Sequence, residues 1–181
     1  MEADWEVEVG GGAPAIEALW SGGTGSTGFI DLRTAPGRIG EIAEAASYPP
    51  LAALLQALNA PGSPVWTSKC DLWTPEADEL ACYVDLLPRE GVVFSEWQQA
   101  ATFCRECVAR LEAVVPAECG PACRVDLVIR RATAGPSEGF GITGYLFAKA
   151  TEGSGTAAAL EAMMAAFADA LGSAASPGTA G

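Results

Sequence analysis

The stretch that decides the fold spans residues 123–149 and reads CRVDLVIRRATAGPSEGFGITGYLFAK. From Cys123 to Arg130 apolar side chains alternate with mainly charged ones, and this period of two is typical of a half-buried β-strand. The loop at residues 134–139 contains a Gly-Pro pair, which favours a turn. A second alternating run follows. The stretch therefore predicts two antiparallel strands, over residues 123–132 and 140–150.

The same pattern appears upstream. Residues 64–73 and 80–87 alternate in the same way, and the short link between them favours a hairpin. One helix is predicted from Ser95, which can form a capping box with Gln98, to Pro116. Another is predicted over residues 156–171. The order ββαββα predicts an α+β fold, in which a four-stranded antiparallel sheet has helices packed on one face.

The N-terminal part of the chain is less regular. The leucine spacing over residues 51–58 predicts an amphipathic helix, and Pro14 and Pro36 favour shorter helices. These form an N-terminal helical segment, preceded by a short edge strand or mobile arm. We expect an arm and Gly-rich loop over residues 1–28, a single α+β domain over residues 29–172 and a disordered tail over residues 173–181.

Composition and charge exclude several classes of function. Half of the 181 residues are hydrophobic and 18% are charged, as in globular proteins. Against 23 acidic residues stand 10 basic ones, so the net charge of −13 argues against nucleic acid and anionic membranes as partners. The absence of histidine excludes Ser-His-Asp catalysis and histidine-ligated metal sites. Without a signal peptide or a membrane-length apolar run, we expect a cytoplasmic protein. Abundant alanine, glycine and proline indicate a bacterial source.

Two segments match the dinucleotide-binding pattern G-x-G-x-x-G, at residues 23–28 and 139–144. That pattern binds phosphate where a strand turns tightly into a helix. The first match precedes a strand-like run, and the second lies within a predicted strand. Neither predicts a nucleotide site.

The strand faces turned away from the helices hold the candidate binding residues. Aromatic side chains are mixed there with both signs of charge, as in interaction surfaces. The cations suit a carboxylate or phosphate, and the aspartates suit acid–base chemistry or a divalent cation. The candidates are Lys69, Asp71, Tyr83, Asp85, Arg124, Asp126, Arg130, Tyr145 and Lys149.

Four of the six cysteines have a spacing that suits zinc. Cys104, Cys107, Cys119 and Cys123 form the pattern C-x2-C-x11-C-x3-C, and four thiolates can close a tetrahedral site. Alternatively they are reduced core residues, since free cysteine packs as a small hydrophobe, or two of them form a disulfide. Cys104 lies on the apolar stripe of its predicted helix, which favours core packing. We therefore expect no cofactor, with zinc as the alternative.

No motif defines a reaction, so the sequence predicts a non-enzymatic domain that binds a small molecule or protein through the mixed-charge sheet face. One alternative is an aspartate-dependent hydrolase or transferase, with or without a metal. The second is a structural protein with a four-cysteine zinc site. Whether the protein is an enzyme stays open at this stage.

Overall fold

A computed structural model of the chain describes residues 1–12, 14–18, 29–150 and 155–173. The predicted loop over residues 21–28, with the first G-x-G-x-x-G match, lies outside the described residues. So do residues 174–181 of the predicted tail. Within the described part, no helix has the length and hydropathy needed to cross a bilayer.

The described residues form six strands and four α-helices, with a short 3-10 helix at Pro36–Glu41. In chain order they are β1 (Glu2–Glu8), β2 (Ile16–Ala18), α1 (Ala43–Ser47), α2 (Pro49–Asn59), β3 (Val65–Trp73), β4 (Glu79–Pro88), α3 (Trp97–Ala113), β5 (Arg124–Ala134), β6 (Ser137–Lys149) and α4 (Thr156–Gly172).

All six strands belong to one sheet. Its order is β1-β5-β6-β4-β3, and β2 also pairs with β5. Both β1 and β2 run parallel to β5, whereas the other pairs are antiparallel. The prediction of a four-stranded antiparallel sheet is therefore wrong, and so is that of a helix beginning at Pro14. Without the two N-terminal strands, the outer edge of β5 would leave its backbone N–H and C=O groups unpaired.

The helices α3 and α4 pack on one face of the sheet, and α2 packs against α4 and β3. Helix α3 starts one residue later than predicted, with Glu96 and Gln99 forming the capping box. Gly144 shows how closely α4 approaches β6, because a Cβ there would lie 2.8 Å from Cζ of Phe167. The second G-x-G-x-x-G segment is thus part of a strand, and Gly144 allows a helix to pack on that strand.

A β-bulge changes which side chains of β3 face the helices. Trp66 pairs with Leu87 and Thr67 with Leu86, but the register then shifts until Cys70 pairs with Val84. The alternation predicted for this strand is therefore wrong for the residues before the bulge. The two residues between Thr67 and Cys70 interrupt the pairing, so the side chains before the bulge point to the face opposite the predicted one. Thr67 consequently lies on the helix side, where its Oγ1 accepts a hydrogen bond of 2.7 Å from Asn59 Nδ2.

Candidate binding surface

The sheet face opposite the helices, here called the open face, is organised in rows that cross the strands. The register places side chains side by side from β1 to β3. The first row is Glu2, Arg124, Phe147, Ala81 and Trp73, and the second is Asp4, Asp126, Tyr145, Tyr83 and Asp71. The third row is Glu6, Val128, Thr143 and Asp85. The fourth row is Glu8, Arg130 and Gly141, and Leu87 and Trp66 continue it.

Four aromatic rings in the first two rows form a continuous cluster, here called the aromatic platform: Trp73, Tyr83, Tyr145 and Phe147. Ring centroids lie 5.9 Å apart for Tyr83 and Tyr145, and 6.1 Å apart for Tyr145 and Phe147. Trp73 closes the cluster at 6.1 Å from Phe147 and 6.2 Å from Tyr83. All four side chains are half-buried. The platform therefore presents a preassembled aromatic surface, the kind of area that supplies much of the energy of interfaces.

Two arginines of β5 border the platform and are held by carboxylates. Arg124 Nε lies 2.6 Å from Asp126 Oδ2, and its guanidinium lies 5.0 Å from the centre of the Phe147 ring. Arg130 Nη1 donates to Tyr145 Oη at 3.1 Å, and Nη2 donates to Glu8 at 2.8 Å. Both guanidiniums therefore already have anionic partners within the chain.

Lys149, at the end of β6, is engaged in the same way. Its Nζ lies 2.9 Å from Glu79 and 3.7 Å from Asp78. The hydrogen bond to Glu79 and the neighbouring carboxylates raise the pKa of Lys149. Three of the four predicted open-face cations are thus neutralised internally, which leaves little free positive charge for a phosphate.

Several carboxylates of the open face lack such partners. Within the described residues, Glu2, Asp4, Glu6 and Asp71 form no ion pair. Asp4 and Asp71 stand at the two ends of the tyrosine row, and in the described part of the chain each accepts a hydrogen bond only from the following backbone N–H, at 2.7 and 2.8 Å. Burial raises the pKa of Asp126, and the nearby Asp4 and Glu2 add to the effect, whereas Arg124 opposes it. The tyrosines are therefore bordered by negative charge on both sides.

Asp85 is the buried carboxylate of the open face, with 4% of its surface exposed. Its Oδ1 accepts a hydrogen bond of 2.7 Å from Thr143 Oγ1. Burial raises the pKa of Asp85, while Thr143, Lys69 and Arg130 act in the opposite direction. Burial also raises the pKa of Tyr83 to about 12, with smaller contributions from Asp85 and another carboxylate. The Tyr83 hydroxyl therefore remains protonated at neutral pH and can donate a hydrogen bond.

The four cysteines proposed as zinc ligands are all buried. Cys104 and Cys107 lie within α3, whereas the Cys119 thiol donates to the Ala159 carbonyl at 3.7 Å and also contacts Cys123. Burial raises the pKa of Cys107 to about 12 and that of Cys119 to about 12.

Among the described residues, one group could hold a metal ion, and it contains no cysteine. It consists of Glu76, Asp78 and Glu79, whose carboxylate oxygens lie within 4.8 Å of one another; two of these residues are exposed. Because the four thiols do not gather and burial opposes the thiolate form, this arrangement favours core packing.

The structure brings eight of the nine predicted binding residues onto the open face. The ninth, Lys69, lies in the bulge of β3, close enough to Asp85 to act on its charge. Sequence reasoning missed Trp73 and Phe147 as site residues, although they share the strand parity of Asp71 and Tyr145. It also missed the acidic side chains of β1, whose pairing with β5 no local pattern indicates.

Comparison of the chain with models of protein families, with curated proteins and with solved structures finds no match.

Proposed function

We propose that the protein is a non-enzymatic binding module whose open face takes a basic segment of a partner protein. One observation carries the proposal: the paired tyrosines Tyr83 and Tyr145 lie in a row that ends in carboxylates on both sides, Asp126 and Asp4 at one end and Asp71 at the other.

The aromatic platform suits a lysine or arginine side chain. A cation over the face of a tyrosine or tryptophan ring is stabilised by about 0.5–1 kcal/mol at an exposed site and by more when water is excluded. Half-buried rings with fixed neighbours lose little freedom when a ligand covers them. The platform can therefore receive the alkyl stem and the charge of one basic side chain.

The spacing of the carboxylates supports an extended peptide. Asp126 and Asp71 are separated by three strand-to-strand steps, which amounts to about 14 Å. In an extended chain, residues i and i+4 lie about 13 Å apart. A peptide that crosses the strands with basic residues four apart would place one cation near each carboxylate and the intervening residues over the tyrosines.

Charge supports the same class of partner. The four rows of the open face hold seven carboxylates, and Glu79, beside Lys149, is the eighth. The cations number four when Lys69 is included. The whole chain carries a net charge of −13. Such a field speeds encounter with a basic partner and disfavours anionic ones. We also propose a cytoplasmic location, supported by the six cysteines, all described and all free thiols, because reduced thiols are typical of reducing compartments.

The test is fluorescence anisotropy with a labelled twelve-residue peptide that carries lysine at every fourth position and serine and threonine between. We expect saturable binding that weakens as salt rises, because exposed charge pairs are screened. The same peptide with glutamate in place of lysine should not bind. Equal binding of the two peptides, or no binding of the lysine peptide, would contradict the proposal.

Two variants locate the binding on the open face. Asp71→Asn should weaken binding of the lysine peptide about 3- to 10-fold, and Tyr83→Leu by a similar factor. The matched control is Glu112→Gln on α3, which removes the same charge from an exposed position outside the open face. If Glu112→Gln weakens binding as much as Asp71→Asn, only the net charge of the protein is involved.

The aspartate-dependent hydrolase or transferase has less support. Asp126 is engaged by Arg124 at 2.6 Å, and Asp71 lies at the far end of the tyrosine row from it. Asp85 is buried with one oxygen bonded to Thr143. The three aspartates are therefore dispersed over the open face rather than arranged as a cooperating pair.

A further inference from the structure

A pocket of about 310 Å³ borders the open face at Tyr83 and lies between the bulge of β3 and the segment before α2. Its floor is apolar and includes Leu32, Ile42 and Leu55. Its wall on β3 is polar and consists of Ser68, Lys69 and Cys70. An apolar floor with a few polar groups at the wall is the usual composition of a small-molecule site, and the volume is in the range of such sites.

The polar wall contains groups that the chain does not satisfy. The Oγ atom of Ser68 is buried and has no hydrogen-bond partner among the described residues. Its neighbour Lys69 forms no ion pair within the described part of the chain. A buried hydroxyl without a partner is uncommon in folded proteins and indicates a missing group. A carboxylate placed at this wall would pair with Lys69 and, after rotation of the Ser68 side chain, would accept a hydrogen bond from its hydroxyl.

The opposite wall carries a second unmatched charge. Glu41 and Glu44 both line the pocket, but Glu41 is bound by Arg38 through hydrogen bonds of 2.9 and 2.7 Å. Glu44, in α1, forms no ion pair among the described residues, and it does not reach Lys69 although both line the same pocket. Two opposite charges held apart across one pocket are complementary to a ligand that carries both charges.

We propose that this pocket binds a free apolar α-amino acid. The carboxylate of the amino acid lies at Ser68 and Lys69, its ammonium group faces Glu44, and its side chain covers Leu32 and Leu55. The site adjoins the proposed peptide-binding surface at Tyr83, which lines the pocket, but its charged groups, Lys69 and Glu44, lie outside the tyrosine row, so neither proposal requires the other.

Isothermal titration with three probes tests the two charged ends separately. L-phenylalanine carries both charges, 3-phenylpropionate lacks the amine, and 2-phenylethylamine lacks the carboxylate. We expect L-phenylalanine to bind at least 10-fold more tightly than either analogue. Equal affinity for all three would leave only apolar contact and would overturn the proposal, as would no binding of L-phenylalanine at millimolar concentration.

Charge-removing variants give a crossed pattern that a change in folding cannot mimic. Lys69→Met should weaken L-phenylalanine and 3-phenylpropionate but leave 2-phenylethylamine unchanged. Glu44→Gln should weaken L-phenylalanine and 2-phenylethylamine but leave 3-phenylpropionate unchanged. The control Lys149→Met removes a cation outside the pocket and should change none of the three affinities. Uniform weakening by either pocket variant would contradict the assignment.

Cys70 provides an independent readout, because it lines the pocket and is the one cysteine that is half-buried rather than buried. Burial raises the pKa of Cys70 to about 12, so it reacts slowly, and alkylation by N-ethylmaleimide can be followed by intact mass over hours. L-phenylalanine should slow the first alkylation several-fold in the wild type and not in Lys69→Met. An unchanged alkylation rate in the wild type would place the ligand elsewhere. This experiment does not involve the basic peptide, so its failure leaves the proposed function standing.

Discussion

Two tryptophans of the same strand, on the same sheet face, have opposite surroundings. Trp66, near the start of β3, has no exposed surface, and it packs in a small second core with Ile16, Leu87 and Val93. Its indole N–H donates to Pro88 O at 2.9 Å. Trp73, at the end of β3, remains half-exposed beside the tyrosines. The chain therefore covers one end of the open face with its own segments and leaves the other end aromatic and accessible, which is the difference expected between a core and a binding surface.

The largest expected effect comes from removing each tryptophan in turn. Trp66→Ala should lower the free energy of unfolding by about 3–5 kcal/mol, because it leaves a cavity in a fully buried cluster. Trp73→Ala should cost about 1 kcal/mol, because much of the ring already contacts water. Urea denaturation measures both values. Equal losses would mean that the two ends of the open face are packed alike.

A smaller loss of stability should follow when a larger residue at Gly141 displaces β2, the strand that covers the Trp66 end of the open face. A Cβ at Gly141 would lie 2.9 Å from Ile16 Cδ1 and from Leu87 Cδ2, and 3.0 Å from Leu86 O. Gly141→Ala should therefore destabilise the protein by about 1–2 kcal/mol. Gly37→Ala is the control, because nothing lies within 4 Å of a Cβ there. Gly141→Ala as stable as the control would show that β2 is loosely held.

The smallest effect on stability concerns Asp85, which lies on β4 between the row of Tyr83 and the covered end of the open face. Its pKa is raised on folding, so ionisation costs stability, and the cost is absent below the unfolded pKa of about 3.9. The cost grows as pH rises towards the folded pKa and is constant above it. The stability of Asp85→Asn relative to the wild type should therefore increase over this window in urea titrations from pH 3 to 7. Thr143→Val, which removes the hydrogen bond that opposes the shift, should extend the window to higher pH. A pH-independent difference for Asp85→Asn would refute this account.

The sequence predicts the regular part of the fold for a clear physical reason. Side chains alternate in β4, β5 and β6 because one face of the sheet packs on helices and the other does not. The leucine and methionine spacing of α2 and α4 reflects the same burial, at the helical period. The strands β4, β5 and β6 carry seven of the nine predicted binding residues, and Asp71 follows the bulge of β3, so most of the open face could be predicted from periodicity.

The rest could not be predicted because it depends on pairing rather than period. Strand β2 has three residues, Ile16–Ala18, too few to show an alternation after Pro14. The bulge of β3 is invisible to a period of two: an uninterrupted alternation places Trp66 on the helix face with Cys70, and Lys69 on the open face with Asp71. The carboxylates of Glu2, Asp4 and Glu6 belong to the open face only because β1 pairs with a strand more than 100 residues away. No local signal specifies that contact.

This long-range pairing has a consequence for how the molecule is made. Residues 2–8 are synthesised well before their hydrogen-bonding partners, residues 124–130. Until β1 docks, the edge of β5 presents Val125, Leu127 and Ile129 on a strand with unpaired backbone groups, a template for self-association. Strand β1, with four acidic residues among its seven, therefore protects this edge once it has docked. Newly made chains are most prone to aggregate in the interval between completion of β5 and docking of β1.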